Sequence, residues 1–399
     1  MKNRNCKHLL IITDNYWPAI GGIEKTVFAL SGHLPDNFKT SILTHRSPPD
    51  SKTLFNNYWS CTSNTTDDPN GTPIIPLKPA VHKRLALLPL LLWNIPGLRH
   101  FFPADRLYDL LYIFYKSAFH STVKALIRPA NIVHSFSTGW LARLTTEICI
   151  KENIFLVHSP AVHFGKWGDS PAQLGAYTAA QALICFSEDV KSNIISFSAN
   201  ADHTRIQVIP PVQQAMHVTN QTKRLIDEPY ILFLGRRERH KGLHLLIEAF
   251  GKIKLPVKLV IAGPGERTDI PDSSIIDLGT VTEEDKTSLL VHCELFVLPS
   301  TDESFGIAFT EAMSCGKPVV AIDIPPVNEI VQNGITGILV PPGDTDALAS
   351  AINKLLSDHE LSHSMGEHGL EIFIERFAPA VVVPRIVELY DNVSTAITM

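Results

Sequence analysis

The sequence predicts an α/β fold of two successive doubly wound, Rossmann-like domains, each a parallel sheet covered by helices. Three observations carry this. Short, near-continuous apolar runs alternate with helix-length amphipathic runs, the pattern of strands buried on both faces of a parallel sheet. A polar stretch without apolar period, VQQAMHVTNQTKRLIDEP (212–229), interrupts the alternation, which then restarts. The length, 399 residues, exceeds what one core usually organises. The expected division is a first domain over 1–211, a linker over 212–229, a second domain over 230–378 and a C-terminal segment over 379–399.

In the first domain the strand runs are HLLIITD (8–14), KTSILTH (39–45), NIVHSFS (131–137), IFLVHSP (154–160), ALICFSE (182–188) and RIQVIPP (205–211). Helices are expected over 23–34, 105–127, 139–151 and 189–198. In the second domain the strands are 230–236, 257–263, 274–280, 294–300, 318–323 and the run GILVPPGD, with helices over 242–253, 283–292, 306–315 and 344–357. Two sheets of this kind can aim their strand C-termini into a shared cleft, a natural ligand site.

The segment 46–104 breaks the pattern. It begins loop-like and turns apolar and basic, with His82, Lys83, Arg84, Arg99 and Arg106 around a run of leucines. Two readings stand. It is an insertion packed on the first domain, or the region 80–128 is an interfacial patch with its apolar side in lipid and its cations toward anionic headgroups.

Composition narrows the class. Hydrophobic residues make up 45% and charged residues 19%, a globular balance. The net charge of -5 gives no global reason to expect nucleic-acid binding. The six cysteines are scattered, without a C-x-x-C pair, which fits a reducing cytoplasm better than a disulfide scaffold. The nearest approach to a membrane span, LALLPLLLWNIPGL (85–98), is too short and carries Pro89 and Pro96. The expected location is cytoplasmic, with the inner face of the membrane as the place where an interfacial patch would act.

Four stretches can carry chemistry. The first is STDESFGIAFTEAMSCGKPVVA, which follows the strand ending at Ser300. Glu303 lies in the loop, Ser304 is positioned to cap the next helix, Glu311 falls in its second turn and Gly316 ends it. The N–H groups of Phe305, Gly306 and Ile307 then form an anion site at a helix start. Flanking carboxylates suit a ligand with hydroxyls beside its phosphates, since a carboxylate accepts from a vicinal diol. The alternative is that both acids are solvated helix-start residues favoured by the dipole.

The second stretch, FLGRRERHKG (233–242), sets Arg236 at a strand end and Lys241 before a helix. Both can stabilise a leaving diphosphate. Arg237 and Arg239 read as surface residues. The third, NYWPAIGGIEKTV (15–27), has Gly21 and Gly22 between strand and helix, where backbone can approach a phosphate. GPGE, beginning at Gly263, ends a strand similarly. The fourth is a pair of histidines, His134 and His158, each closing an apolar strand. They are core residues, or they face the cleft.

Two apparent metal motifs compete. HELSHSMGEHG (359–369) contains H-E-x-x-H, the zinc-protease pattern. A longer pattern would need histidine at 369, where glycine stands. Asp344-Thr345-Asp346 resembles a metal-binding D-x-D, but it follows PPG and opens a helix, so Asp344 reads as an N-cap.

Together FLGRRERHKG, VIAGPGE, the E-x7-E of Glu303 and Glu311, EIVQNGITGILVPPGD and the early GGIE resemble the retaining glycosyltransferases of family 4, which have the GT-B fold. The resemblance is dense over 230–357 and loose over 8–45 and 131–211. It implies a nucleotide-diphosphate sugar as donor substrate, no metal and no other cofactor. It implies a glycan or lipid-linked acceptor and a C-terminal helix that returns to the first domain. By position, Arg236 and Lys241 would hold the diphosphate, and Glu303 would contact the transferred sugar with the backbone of Phe305, Gly306 and Ile307. Glu311 would hold the ribose hydroxyls, Gly22 would meet the phosphates, and His158 would lie near the donor sugar. Val212-Gln213-Gln214 departs from the family's usual glycine-valine-aspartate. Another GT-B activity (phosphorylase or epimerase), a non-catalytic nucleotide-sugar binder and, remotely, a zinc peptidase stay as alternatives.

Overall fold

The computed structural model describes residues 6–17, 21–45, 65–79, 81–94, 104–198, 202–214, 216, 222–267 and 272–396. Arg99, Cys61, the end of the 85–98 run, part of the 46–104 segment and part of the 212–229 stretch lie outside the described residues, as does the side chain of His82. The chain forms two units, residues 1–212 with 382–399 and residues 213–381. The division falls at the start of the polar 212–229 stretch.

Unit 1 is built on strands β1 (Lys7–Thr13), β2 (Phe38–Thr44), β3 (Thr66–Asp67), β4 (Pro73–Pro76), β5 (Ile132–Ser135), β6 (Phe155–His158), β7 (Ala182–Cys185) and β8 (Ile206–Val208). Their order across the sheet is β3-β4-β2-β1-β5-β6-β7-β8, all parallel except β3 against β4. The helices are α1 (Gly22–His33), α2 (Ala104–Ile127), α3 (Gly139–Glu152), α4 (Pro171–Thr178) and α5 (Glu188–Phe197), with a 3-10 helix over Val81–Asn94. Strands β5, β6 and β7 are buried at every position, as strands covered on both faces must be. Part of the expected insertion is therefore sheet: β3 and β4 extend it beyond β2. Their turn is set by Asp68, whose Oδ1 accepts from the N–H groups of Asn70 and Thr72. That is a side-chain-built turn, which leaves no apolar periodicity to read.

Unit 2 contains β9 (Tyr230–Leu234), β10 (Lys258–Ala262), β11 (Ile275–Gly279), β12 (Leu295–Leu298), β13 (Val319–Ile322) and β14 (Gly337–Val340), in the order β11-β10-β9-β12-β13-β14. All pairs are parallel. The order reverses between β9 and β12, the topological switch point where doubly wound sheets bind ligands. Helices α6 (Leu243–Phe250), α7 (Glu283–His292), α8 (Ile307–Ser314), α9 (Val327–Ile330), α10 (Thr345–Ser357) and α11 (His359–Ile372) complete the unit. In α6 the buried residues Leu243, Leu246, Ala249 and Phe250 recur at helical spacing.

Helix α12 (Pro379–Ala396) crosses from unit 2 into unit 1. Its Tyr390 hydroxyl lies 2.5 Å from His134 Nδ1, and its Arg385 donates to the Val208 carbonyl at 2.7 Å. Among the described residues no helix is long and apolar enough to cross a membrane.

Candidate donor site

The site is built where β9 and β12 end. Gly235 follows β9, and its N–H donates to the Ala262 carbonyl at 3.0 Å. Gly263 has φ +136°, and a Cβ there would lie 2.0 Å from the Gly235 carbonyl oxygen. Only glycine lets the two strand ends meet so closely. The segment 235–242 is stitched to 299–303 through one carbonyl: His240 O accepts from the Thr301 N–H at 2.7 Å and from Ser300 Oγ at 3.2 Å. Gly242, at φ +74°, passes so near β12's exit that a Cβ would lie 2.0 Å from Pro299 O.

These constraints bring the predicted residues of unit 2 to one sheet edge. Lys241 Nζ pairs with Glu303 Oε1 at 2.7 Å, with side chains 14% and 8% exposed. Arg236 is exposed and pairs with Glu238 at 2.5 Å. Helix α8 starts at Ile307, with Gly306 at φ +102° as its N-cap. Ser304 is not the cap: the chain enters the helix through Gly306's left-handed conformation, which leaves no geometry for a Ser304 cap. The N–H groups of Phe305, Gly306 and Ile307 have no protein acceptor among the described residues, as an anion-binding helix start requires. Phe309, Ala312 and Met313 are buried and hold α8 on the sheet; full burial of a side chain the size of Phe or Met contributes about 1.5–3 kcal/mol.

One residue differs from its sequence reading, and for a second the alternative reading fails. Arg237 is not a surface residue. Its side chain is only 4% exposed, forms a two-pronged ion pair with Asp277 and donates to Gly263 O. It ties the ends of β9, β10 and β11 together because the strand order sets those three ends side by side. Glu311 is not solvated: Lys286 of α7 pairs with it at 2.7 Å, both nearly enclosed. Lys286 escaped the sequence reading. Its signal was available, since Lys286, Leu289, Leu290 and Cys293 are spaced as one helix face and all four are buried.

The residues of unit 1 are placed differently. Gly21 is the N-cap of α1 and Gly22 its first residue, in the chain between β1 and β2. His134 is the next-to-last residue of β5 and His158 the last of β6, and both are 0% exposed, so neither is open to solvent. His134 is held by Tyr390 at Nδ1 and by Ser159 Oγ at 2.7 Å. His158 Nε2 meets Thr146 Oγ1 at 2.8 Å. Burial pushes both down to about 3. They point into the layer between sheet and helices, and the returning α12 closes over His134. Asp14, one residue after β1, was not singled out. It lies where unit 1's strand order reverses between β1 and β5. Its Oδ2 accepts from the Thr138 N–H at 2.8 Å and the Thr138 hydroxyl at 2.9 Å. Burial pushes its carboxyl up to about 6 against the effect of those two hydrogen bonds.

The metal-like motifs resolve into packing. His359, His363 and His368 are exposed along α11, and His363 pairs with Glu367 at 3.2 Å. Among the described residues no group of three or more His, Cys, Asp or Glu could hold a metal ion. Gly366 is there because a Cβ would lie 2.1 Å from Gly316 O. Asp344 caps α10, accepting from the Ala347 N–H at 2.8 Å.

Unit 2 is thus a doubly wound unit whose switch point gathers an open helix start, Lys241, Arg236 and Glu303. The pattern of the glycosyl transferases group 1 matches residues 219–371. An α-maltose-1-phosphate synthase of Mycolicibacterium smegmatis is 30% identical over 308 residues, covering 66% of this chain and 80% of that one. The chain belongs to the group 1 glycosyl transferases. It is also 30% identical to the O-antigen chain mannosyltransferase C of Escherichia coli over 179 residues, 43% of this chain and 48% of that one. In such matches the chain spans about half the length of the curated relative. In fold it is similar to Anabaena Alr3699/HepE, solved with UDP and glucose, with TM-score 0.72 and 17% identity over 97% of this chain and 100% of that one. The two α/β units are thus those of GT-B glycosyltransferases.

Proposed function

We propose that this protein transfers a sugar from a nucleotide-diphosphate sugar to an acceptor hydroxyl, with retention at the sugar carbon and without a metal or other cofactor. The observation that carries the reading is the grouping at the β9/β12 switch point. Lys241 paired with Glu303, exposed Arg236 and the unpaired N–H groups of 305–307 share one sheet edge. The family and the UDP-bound structural relative support it.

The chemistry follows from charge. When the sugar C1–O bond breaks, negative charge grows on the departing diphosphate while the sugar ring becomes oxocarbenium-like. Arg236, Lys241 and the α8 start are preorganised for the first charge. Glu303, fixed by Lys241, is oriented to accept from sugar hydroxyls, and Glu311 to accept from ribose hydroxyls. The acceptor hydroxyl attacks the face the diphosphate leaves, and a departing phosphate oxygen takes its proton. Neither buried histidine is assigned a step.

The acceptor is proposed to be a lipid-linked or cell-surface glycan. In unit 1, Leu85 (68% exposed), Ile113 (62%), Leu110 and Leu88 stand on the Val81–Asn94 helix and α2, with Lys83, Arg84 and exposed Arg106 on the same elements. This supports peripheral association with an anionic membrane. Flotation with anionic vesicles should carry the protein upward, and absence from the lipid fraction would oppose that part.

The deciding experiment is a thermal-shift panel of UDP, GDP, ADP and their sugar conjugates, each with and without chelator, followed by turnover of the stabilising donor by Glu303→Gln. One nucleotide class should raise Tm irrespective of chelator, and Glu303→Gln should lower kcat about 100-fold or more with the melt otherwise preserved. No shift with any nucleotide, or unchanged turnover in the variant, would overturn the reading.

A further inference from the structure

Lys286 occupies a core position. It is the fourth residue of α7, on the face that continues through Leu289, Leu290 and Cys293, and it is 5% exposed overall. An ammonium in such a place is costly unless paired. Its partners are Glu311 Oε1 of α8 at 2.7 Å and Glu283 Oε2 of its own helix at 2.5 Å. Helix α7 is itself fixed. The Tyr230 hydroxyl donates to Leu289 O at 2.9 Å, and Ser288 Oγ donates to Lys223 O at 2.5 Å.

We infer that Lys286 is a positioning residue of the donor site: it holds the Glu311 carboxylate in one orientation, so that Glu311 can accept from the vicinal hydroxyls of a nucleotide's ribose. The inference rests on the reading of Glu311 given above. Two facts argue against a purely architectural pair. A buried ion pair between helices contributes little that apolar side chains of the same volume would not, so helix packing alone does not call for it. The carboxylate it fixes also belongs to the segment that carries Glu303 and the free N–H groups of the α8 start. A diol acceptor must present lone pairs in a set direction. A carboxylate enclosed to 8% exposure keeps a set direction when a fixed partner stands beside it. Glu283 is largely exposed at 55% and completes the ammonium's shell from the solvent side.

The test is a cycle of ligand against variant. The ligands are whichever of UDP, GDP or ADP stabilises the parent, and its 2′,3′-dideoxy analogue; the variants are Lys286→Met and Glu311→Gln. Dissociation constants come from titration calorimetry, with folding checked by circular dichroism. The parent should prefer the ribose form by about tenfold or more. Lys286→Met should bind the ribose form about tenfold more weakly while binding the dideoxy analogue as the parent does, so the preference disappears as it does in Glu311→Gln. If Lys286→Met does not fold, the same cycle is read on Lys286→Gln, which keeps a donor in the cavity but not the charge. A retained ribose preference, or equal loss for both ligands, would overturn the inference and leave Lys286 an architectural residue. Failure of the parent to bind any of the three nucleotides would instead bring down the donor-site reading on which the inference stands.

Discussion

Acid should unfold unit 1 through three histidines. His45, His134 and His158 are buried in it, and burial pushes each down to about 3 from an ordinary 6.5. In the folded unit they stay neutral far below the pH at which the unfolded chain protonates them. Between pH 6.5 and 3 the unfolded state therefore binds more protons, and stability falls as pH falls. Asp14 runs the other way. Its folded value of about 6 exceeds its ordinary 3.8, so between those values the folded state binds the extra proton and acid stabilises. Three groups against one leave a net uptake of about two protons on unfolding, or about 2.7 kcal/mol per pH unit. That is a large part of a typical domain stability of about 5–15 kcal/mol. All five tryptophans precede residue 213, so tryptophan emission during urea unfolding reports on unit 1. The unfolding free energy should drop by about 2–3 kcal/mol from pH 6 to pH 5. A change within about 0.5 kcal/mol, or a gain, would refute the assignment of these imidazoles as buried and neutral.

Two further predictions concern architecture. Gly263→Ala forces a side chain 2.0 Å from the Gly235 carbonyl at φ +136°, where neither backbone can give way cheaply. Unit 2 should lose at least about 2 kcal/mol, seen as a fall of about 4 °C or more in Tm by circular dichroism; an unshifted melt would contradict it. Tyr390→Phe leaves the buried His134 Nδ1 without its partner on α12 and should cost unit 1 about 1–3 kcal/mol in the same urea assay. A loss below about 0.3 kcal/mol would mean that bond does not hold the returning helix.

Much of the secondary structure was legible because it is written locally. Each strand run from HLLIITD to PVVAID became a strand within one to three residues of its expected ends. The Asp344 cap and the spacing of Glu303 and Glu311 around a helix start were equally plain. Where local chemistry is carried by side chains rather than periodicity it was not: β3 and β4 lay hidden in a loop-like composition, and the α8 cap passed from Ser304 to Gly306. HELSHSMGEHG shows the same limit from the other side. Its histidines keep the zinc spacing, but they lie on the exposed side of α11, while Met365, Gly366 and Gly369 are the residues that pack.

By itself the sequence determined the α/β class, the two sheets, the break near residue 212 and the residue types gathered at the ends of β9 and β12. Tertiary structure decided which charges meet. The strand order β11-β10-β9-β12-β13-β14 brings 235–242 against 299–303 and so makes Lys241 the partner of Glu303. The packing of α7 on α8 makes Lys286 the partner of Glu311. Contacts at the β9, β10 and β11 ends enclose the Arg237 side chain, and contacts within unit 1 bury His134 and His158, which read from sequence as a surface residue and candidate cleft residues. Apolar period is a property of neighbouring residues and survives in the sequence. Burial and pairing of a charge depend on elements tens of residues away, so only the assembled fold specifies them.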